Sequence, residues 1–310
     1  MPTVIHTRLD DLSLLRFAGE DARAFLHGQL TCDVANLAAD ASVPGAYCTP
    51  KGRALATFRL WSQDGAYLLQ LPALLAAPIL KRLSMYVLRA KVKAADVSAE
   101  FAQHGLAGDG CAGFLQEWLG VAPSREGHVV AGERGLAIGL PGDRALLITP
   151  TAHIGALDAR FAATPAGTLD DWRARDIAAG LATVLPPTQE QFVPQMLNLD
   201  AIGGVSFNKG CYPGQEIVAR MHYLGRLKER LYRLRASAGV QAGPGDKVYG
   251  VDLGEQAAGM VTNAARRSDG TLDLLAVVHT SSVTAGPLTL HGRDGPALAV
   301  ETLPYALPTK

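Results

Sequence analysis

The chain has no excess of charge of either sign: 29 Lys and Arg face 29 Asp and Glu across 310 residues. Nucleic-acid binders usually carry a basic excess or a basic run, so no direct nucleic-acid partner is expected. Paired cysteines are also missing, since Cys32, Cys48, Cys111 and Cys211 form no C-x-x-C. A chain of this size without a secretion signal is expected to keep free thiols. No self-contained zinc or cluster site fits these spacings, so a cluster would have to share ligands with a partner. None of the eight histidines forms a His-x-x-x-His pair. Long apolar runs are absent as well. The most apolar stretch, residues 68–83, is broken by Gln70, Pro72, Pro78, Lys81 and Arg82, too often for an ~18-residue membrane span. Residues 1–6 show neither a basic nor an apolar leader region. A cytoplasmic protein with no membrane partner is the expectation.

What is present is ordinary globular composition. At roughly 100–200 residues per domain, two or three units are expected. Residues 11–18 read as a strand, and Gly19-Glu20-Asp21 opens a helix with Ala22, Phe25, Leu26 and Leu30 on one face. Pro50-Lys51-Gly52-Arg53 is a turn, after which Ala54, Ala56, Phe58 and Leu60 line a strand. Asp64-Gly65 then closes a hairpin onto Tyr67, Leu69 and Leu71. Pro72 starts a helix to about Leu88, with Leu75, Ile79, Leu83 and Val87 as its buried stripe, and a strand follows over 91–95. Asp170 to Leu181 reads as a helix capped by Thr168.

From Lys228 onward short strand-like runs alternate with Gly, Pro and Asp turns: 231–234, 247–251, 259–263, 272–278 and 288–290. Strands at that spacing predict a small β-barrel. The expected division is 1–228 as an α+β region and 229–310 as a barrel domain. The densest basic stretch, Arg226, Lys228, Arg230, Arg233 and Arg235, reads as a solvated strand edge, with a small anion-binding patch as the alternative.

The richest motif runs from Asn208 to Glu216, Asn-Lys-Gly-Cys-Tyr-Pro-Gly-Gln-Glu. Lys-Gly and Pro-Gly force a tight, exposed turn on either side of Cys211-Tyr212. Ile217, Val218, Met221 and Leu224 then form an apolar stripe, so a helix starts near Gly214. A thiol placed just before a helix N-terminus and beside Lys209 is expected to have a modestly depressed pKa, with Glu216 working against the effect. The same spacing suits a small hydrophobe buried in a turn, and spacing alone leaves the two readings level. Cys32, Cys48 and Cys111 read as plain packing or surface residues. Arg220 stands at i,i+4 from Glu216 and is read either as its ion-pair partner or as a contact for an anionic ligand. His222 reads as solvent-facing.

Lys209 to Glu216 match throughout the signature Lys-Gly-Cys-Tyr-x-Gly-Gln-Glu of the YgfZ family, which this chain resembles over nearly its whole length. Pro194-Gln195-Met196-Leu197-Asn198-Leu199, the run-in 203–207, the run-out Val218-Ala219-Arg220, the early segment 25–33 and Leu303-Pro304-Tyr305 are similar to that family too. The resemblance implies an α+β fold shared with the aminomethyltransferase of glycine cleavage. In that fold three lobes form a ring around a channel that can hold tetrahydrofolate, and a small β-barrel lies at the C-terminus. It implies that Cys211 is the working residue, with Lys209 beside it. It implies a role supporting assembly or repair of iron–sulfur clusters in client enzymes, tRNA-modifying ones included. The partners it implies are those clients, assembly factors and folate, and a cluster could be held transiently; no resident metal is expected, and a monomer is.

By position Trp172 matches the family's folate-associated tryptophan, while a second such aromatic is Leu12 here. Gln195, Asn198, Tyr212, Gln215, Glu216 and Arg220 complete the candidate folate contacts, because an amide can read a pterin edge with one donor and one acceptor. For Gln195, Asn198 and Gln215 the competing reading is local turn and backbone capping. The alternative function is a tetrahydrofolate-dependent aminomethyl transferase, although such an enzyme needs a carboxylate beside the one-carbon nitrogen and a shared fold does not fix function. A direct RNA-binding module is a third reading, disfavoured by the neutral charge.

Overall fold

The computed structural model describes residues 3–223, 225 and 227–308. Met1 and Pro2 of the leader reading, Leu224 of the apolar stripe and Arg226 of the basic stretch lie outside the described residues. In chain order the first elements are β1 (Ile5–Arg8), β2 (Leu12–Ala18), α1 (Ala22–His27), β3 (Ser42–Cys48), β4 (Ala54–Gln63), β5 (Ala66–Pro72), α2 (Ala73–Met85) and β6 (Lys93–Asp96). They are followed by β7 (Phe101–Ala107), α3 (Cys111–Leu119), β8 (Val129–Gly132), β9 (Gly135–Leu140), β10 (Arg144–Pro150), α4 (Ile154–Phe161) and α5 (Leu169–Ala178). The last are α6 (Gln215–Tyr223), β11 (Glu229–Ala236), β12 (Lys247–Gly250), β13 (Ala257–Arg266), β14 (Leu272–His279), α7 (Thr280–Ala285), β15 (Leu288–Leu290) and β16 (Ala297–Glu301). The chain falls into two compact units. One comprises residues 3–26, Val34–Val43 and Phe58–Trp172, and the other His27–Asp33, Pro44–Thr57 and residues 173–308.

The first unit is layered. One sheet has the strand order β1-β7-β10-β9-β8 and another β3-β4-β5-β2-β6, with β3 and β4 shared along their length by the two units. Leu136, Ile138, Leu146 and Ile148 on one face of the first sheet share a core with Leu14, Trp61 and Leu68 of the second. Ala137, Ala145 and Leu147 on the opposite face pack under α3 and α4 through Phe114, Leu115, Trp118, Leu157 and Phe161. Being covered on both sides, β10 is apolar at nearly every position instead of alternating. β4 behaves likewise, so the one-sided face read from Ala54, Ala56, Phe58 and Leu60 is half of a strand buried on both faces.

Helix α2 packs on β2, β5 and β6 through Leu75, Ala76, Ile79 and Leu83. It stops at Met85, short of Leu88, because Tyr86 and Val87 turn back onto the carbonyls of Leu83 and Ser84. Thr168 caps α5 as expected: its hydroxyl accepts from the Asp171 N–H while the Asp171 carboxylate accepts from the Thr168 N–H. The helix ends at Ala178, earlier than Leu181, because Gly180 takes a left-handed conformation at φ 68° and ends it.

The second unit contains a closed six-stranded barrel in the order β11-β14-β13-β12-β15-β16. Leu234, Val248, Val261, Leu274, Ala276, Leu288 and Leu290 fill its interior. The strand β16 and the helix α7 had no clear signal in the sequence. Closure corrects the reading of the basic stretch. β11 pairs with β14 along its length and with β16 over residues 233–236, so Arg233 and Arg235 do not lie on a free strand edge. Arg235 instead donates to the fully buried Asp273, joined by Arg267. Arg230 makes a two-pronged bond to Asp200 at 2.7 and 3.0 Å and donates to the Gln195 carbonyl. No helix among the described residues is long and apolar enough to cross a membrane.

Candidate functional site

The second unit brings the early segment 27–33 and the signature 204–216 together. Thr31 donates its hydroxyl to the Gly204 carbonyl at 2.7 Å, and its own carbonyl accepts from the Ser206 N–H at 2.9 Å. The Lys209 ammonium donates to three backbone carbonyls, those of His27 and Leu30 at 2.6 Å and Cys32 at 2.8 Å. Three donors on one nitrogen meet three acceptors: the His27 carbonyl at the end of α1, where helical carbonyls lack partners, and the Leu30 and Cys32 carbonyls of the segment after it. Burial lowers the Lys209 pKa to about 8, opposed by the neighbouring Cys32 and Asp33. Its nitrogen also lies 5.1 Å from the centre of the Tyr212 ring.

The other side of the turn is set by close backbone packing. Gly214 has φ 82°, and a side chain there would meet the Thr49 carbonyl oxygen at 2.4 Å and the Gly52 Cα at 2.5 Å. The Pro50–Arg53 turn is thus the seat for the signature's second glycine. Gln215 donates to the Lys209 carbonyl at 3.4 Å, and Gln195 donates to the Val218 carbonyl of α6 at 2.6 Å. Phe207 stacks on His222 with ring centres 3.7 Å apart, and Tyr223 meets His222 edge-on. His222 therefore covers the loop instead of simply facing solvent.

Within this frame Cys211 is exposed, whereas Cys32, Cys48 and Cys111 are buried. Burial pushes the thiols of Cys32 and Cys48 up to about 12, so neither forms a thiolate near neutral pH. Tyr212 is buried, burial holds its phenol above the ordinary range, and its hydroxyl has no partner among the described residues. Val218 is the fully buried residue of α6, while Ile217 is 38% exposed, so the stripe read from the sequence is narrower than it looked. Glu216 and Arg220 are both exposed and form no ion pair with each other among the described residues.

Gln195 and Asn198 are buried at the base of this region. Asn198, held left-handed at φ 56°, donates to the Leu231 carbonyl at 3.0 Å and to the Tyr305 hydroxyl at 3.4 Å. The side-chain oxygens of both residues lack a partner among the described residues. Trp172 belongs to the first unit. Its indole packs on Gly105, where an added Cβ would fall 2.3 Å from the ring, and the Arg144 guanidinium carbon lies 4.9 Å from the ring centre. It is 6% exposed and part of the core between the sheets.

One residue left without a role by the sequence stands close to the loop. The His27 imidazole pairs with Asp33 at 3.4 Å, and its Nε2 lies 3.9 Å from where a Cβ of Gly210 would be. Burial, then the Lys209 charge, lowers its pKa, with Asp33 opposing. Its spacing to Asp33 within the early segment was the available signal.

No protein-family model matches the chain. Full-length relatives exist, however. The tRNA-modifying protein YgfZ of Colwellia psychrerythraea is 31% identical, across 99% of this chain and 95% of the relative. Those of Photorhabdus laumondii and Yersinia pseudotuberculosis are 32% and 33% identical, each across 96% of this chain and 92% of the relative. The crystal structure of the glycine cleavage system aminomethyltransferase T from Bartonella henselae superposes with a TM-score of 0.75, covering 97% of this chain and 86% of that one at 15% identity. The fold is therefore aminomethyltransferase-like, with mixed helices and sheets and the closed C-terminal barrel.

Proposed function

The chain belongs to the YgfZ family, and from that premise we propose that it supports assembly or repair of iron–sulfur clusters in client enzymes, tRNA-modifying ones among them, through Cys211. The observation that carries the proposal is the contrast among the four thiols. Cys211 is exposed on a loop clamped by Lys209, Gly214 and the Phe207–His222 stack, while the other three cysteines are buried. A thiolate is the form that ligates iron or exchanges with another sulfur, and access to a partner's cluster requires it at the surface. Lys209 acts in this reading by fixing the loop, since its three hydrogens are spent on carbonyls.

Folate is the proposed small-molecule ligand. The unpartnered buried oxygens of Gln195 and Asn198 suit the N–H donors of a pterin ring, and Tyr212, Gln215, Glu216 and Arg220 lie on the adjoining loop and helix. Isothermal titration with tetrahydrofolate would test this part: loss of heat in Asn198→Ala is expected, and no heat with the wild-type chain removes folate from the proposal.

The main test is genetic. Deletion in the host should lower the activity of a 4Fe–4S enzyme in extracts, with rescue by the wild-type gene and not by Cys211→Ala. Equal rescue by both would reduce Cys211 to a turn residue. An intact 4Fe–4S enzyme, together with one-carbon transfer from methylene-tetrahydrofolate to a small amine, would favour the transferase reading.

A further inference from the structure

Between Asp64 and Asp96 the chain has no acidic residue, yet it carries Lys81, Arg82, Arg89, Lys91 and Lys93. The stretch covers β5, α2, the turn after it and most of β6. With Leu75, Ala76, Ile79 and Leu83 turned inward, helical spacing sends Leu74, Lys81 and Met85 to the outer side. Leu74 is 73% exposed, Met85 61%, Tyr86 45% and Leu88 86%. Leu88 also has φ 45°, a backbone conformation rare for residues other than glycine. Four large apolar or aromatic side chains thus stand in solvent in an acid-free stretch. Lys91 is occupied by Glu20 at 2.6 Å, whereas Lys81, Arg89 and Lys93 are exposed.

We propose that this patch is a peripheral docking surface for an anionic lipid bilayer. Met85, Tyr86 and Leu88 are exposed within four positions of one another, with the exposed Lys81 one helical turn before Met85 and the exposed Arg89 and Lys93 following in the chain. On a bilayer the cationic heads meet headgroup phosphates while the apolar side chains reach the acyl boundary. Tyr86, with an apolar ring and a polar end, suits the level between them. RNA would leave Leu74, Met85 and Leu88 without a matching surface, since stacking on bases needs aromatic faces. The attachment is independent of Cys211 and spans nothing, consistent with the short helices.

Vesicle flotation tests it, with phosphatidylcholine alone and with phosphatidylcholine plus phosphatidylglycerol. The full chain should float with the mixed vesicles at low salt and remain behind with phosphatidylcholine alone. Lys81→Glu/Arg89→Glu should weaken binding by about tenfold or more. Leu88→Asn, which keeps a residue tolerant of positive φ, should weaken it while leaving the thermal melt intact. Trp61, Trp118 and Trp172 are buried, so Tyr86→Trp adds a reporter whose emission should shift to the blue on mixed vesicles only. The proposal is overturned by no flotation, by equal flotation with neutral vesicles, or by binding unchanged in both variants. A gel shift of bulk tRNA lost in Arg89→Glu, or a dimer lost in Leu88→Asn, with vesicles unbound, would overturn it in favour of RNA or a second copy.

Discussion

The side-chain nitrogen of Lys209 lies 2.8 Å from the backbone oxygen of Cys32, a contact between the signature and a segment far earlier in the chain. With the carbonyls of His27 and Leu30 it forms a three-acceptor cradle for one ammonium. Lys209→Met should leave all three carbonyls short of a donor and destabilise the fold by about 3 kcal/mol. Lys209→Arg should recover little, because a planar fork does not reproduce three converging donors. Urea denaturation measures both, and wild-type stability in Lys209→Met would show that the cradle is incidental.

Exposure separates the thiols. Under native conditions a thiol reagent should modify one cysteine quickly and the other three only on unfolding, since Cys32, Cys48 and Cys111 are buried. Cys211→Ser should abolish the fast phase.

Two glycines are predicted to be intolerant of a methyl group for different reasons. Gly214→Ala places a Cβ against the Thr49 oxygen at a positive φ and should cost about 2 kcal/mol while altering the alkylation rate of Cys211. Gly105→Ala strikes the Trp172 ring and should lower stability and shift tryptophan emission without changing that rate. Melting curves and alkylation together tell the two apart.

His104 supplies a pH dependence. It is 3% exposed, and burial lowers its pKa to about 4, reinforced by Arg8 and His6 and opposed by Asp158 and Asp10. Below about pH 6.5 the unfolded chain takes up a proton that the folded chain refuses. Stability should therefore fall as pH drops from about 6.5 to about 4, by about 3 kcal/mol from this residue. His104→Gln should flatten that slope, and a slope identical to wild type would assign the acid sensitivity elsewhere.

Local chemistry was legible in the sequence. The Lys-Gly-Cys-Tyr-Pro-Gly turn, the Asp64-Gly65 hairpin, the Thr168 cap and five of the six barrel strands could be read directly, because turn residues, caps and apolar periodicity act over a few positions. The partners of those residues were decided only by the tertiary structure. Periodicity says that a side chain is turned inward, not what it meets there. So Lys209 could be read as a neighbour of the thiol, while its hold on the carbonyls of residues 27–32 was not visible in the sequence. The arginines of β11 were read as an edge because β16, which closes the barrel against that strand, had no recognisable pattern of its own. Trp172 could be placed on a helix, yet its setting between Gly105 and Arg144 depends on strands far from it in sequence. Contacts of that kind come from chain closure and packing, and no window of neighbouring residues contains them.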